Sequence, residues 1–250
     1  MPDRMQRARL LVPVVAGVLG LVAGSVTALV AADDPDGSEP TADPLHLGIP
    51  LVNLDCTGES LLLIAQGSST PPLAAAVANY PDLDLRYLRP DESCDTLYAP
   101  QSQGVPDYAV YAGPYEGMPE PCELRMSAEH QGDTVTNLTS GNDSFVKCLC
   151  ALPVATFPQL TPGMDPDPSI ANYVRSLQSL LVDLDNQREE DGEPGPYFKI
   201  SGVTGLYDEV TQTRIEEFQD EGVFSESERG SVLFRTWKDL TDDTCKLYDF

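Results

Sequence analysis

Six cysteines, two histidines and a surplus of carboxylates are the residues with which this chain could do chemistry. The cysteines, Cys56, Cys94, Cys122, Cys148, Cys150 and Cys245, include no CxxC pair, and Cys148 and Cys150 form only a CxC. Zinc sites of the usual Cys/His spacing are therefore not expected. An even number of scattered cysteines behind an apolar leading segment points instead to disulfides in an oxidising compartment. Chain order favours Cys56 with Cys94 and Cys122 with either Cys148 or Cys150, with the remaining one meeting Cys245. A Ser-His-Asp triad would need His46 or His130, and neither has a diagnostic neighbourhood. HExxH, GxSxG and Walker patterns are absent. Asp183-Leu184-Asp185-Asn186 followed by Glu189 is spaced like a calcium loop, but Arg188 stands where such a loop requires glycine. Acidic pairs are too common along the chain to single out a glycosidase pair. The expectation is a non-enzyme with no metal and no cofactor.

The charge balance narrows the partners. Forty acidic residues against 15 Lys and Arg give a formal net charge of -25. Nucleic-acid binding, which needs phosphate-neutralising cations, is not expected. Polar or cationic partners suit such a surface.

The elements that would carry any site begin after a membrane segment. Leu10 to Ala32 is 23 residues without a charge. At about 1.5 Å per residue it can cross a hydrocarbon layer of about 30 Å. Arg4, Arg7 and Arg9 precede it and Asp33, Asp34, Asp36 and Glu39 follow, which keeps 1–9 cytoplasmic and sends the bulk of the chain outside. The alternative is a signal segment cleaved near Val30-Ala31-Ala32, giving a secreted protein. Residues 33–48, acidic and broken by Pro35, Pro40 and Pro44, read as an extended linker.

Residues 49–155 read as a small α/β domain of order β-α-β-β-α-β, a split ferredoxin-like arrangement. The expected strands are Leu61–Ala65, Leu85–Leu88, Tyr108–Tyr111 (ended by Gly113-Pro114) and Phe145–Leu149. Cys148 and Cys150 would share a face of the last strand. The helices are expected over Leu73–Tyr80, behind Pro71-Pro72, and over Pro121–His130. Prolines at 158, 162, 166 and 168 mark 156–169 as a second linker. From 170 to 250 the pattern is helical: Ile170 to Leu184, Thr211 to Asp220 and Arg229 to Leu240, with a charged surface loop after the first. The fold class is thus α+β behind a transmembrane helix.

These last 80 residues resemble the peptidoglycan-binding-like domain, a three-helix module of cell-wall enzymes and envelope proteins. The resemblance lies in Leu177-Gln178 with Leu181, Gly205-Leu206-Tyr207-Asp208 with Thr211, Phe218-Gln219 with Gly222-Val223, and Trp237 with Leu240. Thr204 and Asp208 depart from the usual Asp and Gly of the turn. Gly205 would allow the tight turn and Thr211 would cap the second helix. The resemblance implies a ligand surface at the start of that helix: Tyr207, Asp208, Thr211, Gln212 and Arg214, the last as a carboxylate contact. Tyr108 to Tyr115, "YAVYAGPY", with Cys122, Arg125 and Phe145-Val146-Lys147-Cys148-Leu149, resembles the sporulation-related (SPOR-like) domains. These are small modules that bind septal glycan, and similar units occur in actinobacterial envelope proteins. That resemblance implies Tyr111, Tyr115 and Phe145 as stacking residues.

The expected function is a noncatalytic, membrane-anchored extracellular protein that binds peptidoglycan. The alternative is an ectodomain whose partner is another envelope protein, and a cell-wall hydrolase ranks behind both.

Overall fold

The computed structural model describes residues 43–94, 97, 106–130, 132–140, 146–164, 167–193, 195, 198–222 and 224–247. The 1–9 tail, the 10–32 span, most of the first linker and Phe145 lie outside them. Among the described residues no helix is long and apolar enough to cross a membrane.

The apolar run SLLLIAQG forms β1 (Ser60–Gly67), and Pro71 and Pro72 sit in the first turn of α1 (Thr70–Asn79). There the backbone N–H groups have no intrahelical partner to lose. β2 (Leu85–Leu88), β3 (Tyr108–Tyr115), α2 (Pro119–Met126) and β4 (Thr134–Asn137) complete the expected succession. The sheet is antiparallel throughout, in the order β2-β3-β1-β4.

The main departures from expectation lie in β3, α2 and the last strand, while β1 and α1 differ only by a few residues at their ends. β3 does not stop at Gly113-Pro114 but passes through it, by a cis bond, to pair Tyr115 with Ser60. A register shift between Ser60 and Leu62 takes up the extra residue in the manner of a bulge. α2 ends at Met126, and a 3-10 turn, Ala128–His130, follows it. The last strand is Thr134–Asn137, whose β-branched TVT suits a pleated surface. Of the expected Phe145–Leu149 strand, the described part, Val146 to Leu149, is not a strand: Val146 donates its N–H to Val135 beside the sheet, and the chain then enters α3 (Cys148–Ala151).

Alternation splits the strands between two apolar clusters. Leu62, Tyr87, Val110 and Ala112 face α1 and α2, meeting Leu73, Cys122 and Met126. Leu61, Leu63, Leu88, Ala109 and Tyr111 face the other way and gather with Cys94, Leu97 and Leu138. A backbone bond from Cys94 to Leu54, and the Cys56–Cys94 disulfide, hold the covering segments against this second face. Asp43, at the end of the first linker, is docked too, accepting a 2.7 Å bond from the Tyr87 hydroxyl.

The helical half is built on α4 (Pro168–Glu190), capped by Asp167, whose carboxylate accepts from the Ser169 N–H at 2.8 Å. Val174, Leu177, Leu180 and Leu181 form its buried stripe. The helix runs through Glu189 and Glu190, which the sequence reading gave to a loop. α5 (Glu209–Glu221) and α6 (Phe234–Thr244) close on it, burying Leu177, Phe218 and Trp237. One apolar cluster runs from Leu62 of β1 to Trp237 of α6. The proline-rich 156–169 segment is stitched into it. Leu160 and Val232 exchange backbone bonds, Trp237 donates its indole N–H to Pro158 at 2.7 Å, and Phe157 meets the Trp237 ring edge-on.

The three disulfides are Cys56–Cys94, Cys122–Cys148 and Cys150–Cys245. Cys148 and Cys150 reach partners on different elements because they lie on the helical turn α3 and not on one strand face. Two helical positions are separated by about 200°, so one thiol meets α2 and the other the C-terminal end.

Candidate binding site at the turn into α5

Gln178 organises this turn from below. Its side chain is fully buried on α4. Its amide oxygen accepts from the backbone N–H groups of Thr204 and Gly205 at 2.8 and 2.9 Å. Its amide nitrogen donates to the Leu206 carbonyl and the Thr211 hydroxyl at 3.0 and 2.9 Å. Gly205 takes φ +79, and a Cβ there would stand 2.9 Å from the Arg175 guanidinium carbon. The expected need for glycine therefore has two causes, backbone conformation and an arginine lying against the turn.

The cap of α5 is Asp208, not Thr211. Its carboxylate accepts from the Thr211 N–H at 2.9 Å and the Thr211 hydroxyl at 2.8 Å. Thr211 is completely buried, so its hydroxyl faces inward. The Tyr207 hydroxyl donates to the Gly230 carbonyl at 2.7 Å, and burial pushes this phenol's pKa up. The Gln212 amide donates to Glu216 at 2.8 Å. Arg214 is 4% exposed and grips Asp185 of α4 with two guanidinium nitrogens, at 2.7 and 2.9 Å. Asp185 also accepts the Phe198 N–H at 2.6 Å. Arg214 thus faces the interior, with Glu217 at 3.8 Å as its outer neighbour.

What remains accessible at this turn is a groove of about 90 Å³ lined by Met164, Ile170, Val174, Leu206, Tyr207 and Asp208. Leu206 is 50% exposed, and Val210, in the first turn of α5, is 62% exposed. Of the residues suggested by the SPOR-like pattern, Tyr111 and Tyr115 do not join it. Tyr111 is fully buried and donates its hydroxyl to the Val52 carbonyl, while Tyr115 is half-buried against the main core.

The groups singled out for chemistry are dispersed. His46 is exposed. His130 is buried, stacked on Tyr80, with Nδ1 2.6 Å from the Asp133 carboxylate, and burial raises the Asp133 pKa. Among the described residues no serine or threonine hydroxyl bonds to its ring. Asp183 and Asp185 lie on α4, committed to Lys147 and Arg214 respectively. Among the described residues no group of three or more His, Cys, Asp or Glu is placed to hold a metal.

One concavity escaped the sequence reading. It has a volume of about 240 Å³, lies between α2, the 133–135 and 146–149 segments and α4, and is lined by Arg125, Lys147 and Arg175. These cations are far apart in sequence, so only the fold gathers them. One signal was present: Arg175 has no Asp or Glu three or four positions away on its helix. Compared with protein-family models, curated proteins and solved structures, the chain finds no match.

Proposed function

We propose that this chain is a noncatalytic wall-binding protein, anchored by residues 10–32 and reaching peptidoglycan through the turn into α5. The C-terminal helices are read as a peptidoglycan-binding-like module. The 60–137 unit is read as ferredoxin-like, on its strand order, and as SPOR-like in kind. The observation that carries the reading is the largely apolar groove at Tyr207 and Asp208, with Leu206 in its lining and Val210, two residues on from Asp208, both exposed. A glycopeptide polymer offers sugar C–H faces and small side-chain methyls, which such a shallow surface suits without any reacting group. Three disulfides support an oxidising location outside the cytoplasm. Tethering at the membrane raises effective concentration, so weak binding suffices.

The test is retention of the full chain, in detergent, on purified sacculi. Wild type is expected to sediment with the sacculi. Leu206→Asp with Val210→Asp is expected to cut the retained fraction about ten-fold, the loss of roughly 1.4 kcal/mol, with the melting temperature unchanged. Equal retention of that variant would sink the assignment of the surface. A wild type that never sediments would favour a protein partner, for which an acidic cleft of about 440 Å³ at Phe218, Phe224, Asp239, Asp242 and Asp243 is the competing feature.

A further inference from the structure

In so acidic a chain, cations are readily neutralised. Among the described residues every lysine and arginine except Arg125 and Arg175 has a carboxylate oxygen within 4.0 Å. These two exceptions line one and the same cavity. Arg125 Nη1 is shut off from solvent and has no hydrogen-bond partner. Leaving a buried guanidinium nitrogen unpaired is costly. The Arg175 guanidinium has one weak contact, a 3.4 Å bond to the Asn172 side chain.

The remaining charges give the ligand its valence. Lys147 lies 2.9 Å from Asp183 and donates to Ser179 at 2.7 Å, so its charge is already met. Asp133, also in the lining, offsets one further positive charge while holding His130. Three cations against two carboxylates leave an excess of one. Val135, Val146 and Leu180 supply the apolar part of the wall. At about 30 Å³ per water the space is that of several waters, enough for a group of amino-acid size.

We propose that this cavity binds a monoanionic carboxylate carrying a small aliphatic group, as found at the C-terminus of a peptide ending in a short apolar residue. The planar carboxylate matches the guanidinium fork of Arg125, and Arg175 closes the site from α4. A dianionic phosphate would overfill the one uncompensated charge. This cavity and the groove at Tyr207 share no lining residue, so the two assignments are tested separately.

The experiment is calorimetric titration of the full chain in detergent with N-acetyl-alanyl-alanine, its C-terminal amide and inorganic phosphate. The acid is expected to bind at least about ten-fold more tightly than the amide and than phosphate, as loss of a charge-assisted hydrogen bond implies. Arg175→Gln, at a partly buried position, is expected to weaken the acid by about ten-fold and leave the amide unchanged. Arg125→Lys is expected to retain part of the affinity and Arg125→Gln to lose it. Equal binding of acid and amide, tighter binding of phosphate, undiminished binding by Arg175→Gln, or no heat with the acid at about 10 mM would each overturn the proposal.

Discussion

Two buried glutamines do for this molecule what an apolar side chain could not. Gln178 ties the 204–206 turn to α4. Gln219 ties the 228–231 loop to α5, accepting from the Gly230 N–H at 2.8 Å and donating to the Ser231 carbonyl at 2.8 Å. Replacing Gln178 by leucine keeps the volume but strands the Thr204 and Gly205 N–H groups. Gln178→Leu is expected to cost about 2–4 kcal/mol, read as a lower urea midpoint with unchanged slope. Gln212→Leu, which removes only a partly exposed bond to Glu216, is expected to stay within about 0.5 kcal/mol. If the two cost the same, the loops are not held by Gln178. The sequence marked Gln178 and Gln219 as members of a pattern without a reason for them. A core amide is illegible in one dimension, because its partners are backbone groups delivered by loops elsewhere in the chain. The same holds for Arg214, whose type suggested a ligand contact while Asp185, on another helix, claims its guanidinium.

At the scale of elements, legibility followed how local the determinant was. β2 was found at its observed bounds because Leu85–Leu88 is short, alternating and flanked by breakers. The last strand was misplaced because Phe145–Leu149 is also a short, mostly apolar run, and only pairing with β1 selects Thr134–Asn137. α4 outran its apolar pattern because Arg188 pairs with Glu193 and Glu221 around its solvated end. The turn between α4 and α5 offers a test by comparison. Gly192 and Gly205 both take φ +79, but a Cβ on Gly192 meets nothing within 4 Å, whereas one on Gly205 collides with Arg175. Gly192→Ala is expected to cost about 1 kcal/mol, the left-handed backbone penalty alone. Gly205→Ala is expected to cost about 1–2 kcal/mol, since Arg175 must also leave its place. Matched denaturation curves check this, and equal losses would mean that Arg175 yields freely.

The whole molecule poses the question of how two halves behave as one. Prolines in 156–169 announce an interruption in secondary structure, and the sequence has no means of saying whether such a segment is free or packed. Here Phe157 and Leu160 lie in a core shared by the sheet and α6. Cys150–Cys245 closes the longest covalent loop across it, with a sequence separation of 95, against 26 for Cys122–Cys148. Chain entropy makes the longer loop worth more, about 4.7 kcal/mol for a loop near 100 residues against about 3 for a short one. Cys150→Ser with Cys245→Ser is therefore expected to destabilise the chain more than Cys122→Ser with Cys148→Ser. Because the apolar cluster is continuous, each double variant is expected to unfold in a single transition, seen alike by tryptophan fluorescence (Trp237 in the helical half) and far-ultraviolet dichroism. Two separated transitions in the Cys150/Cys245 variant would show that the covalent tie, and not the shared core, makes the halves cooperative.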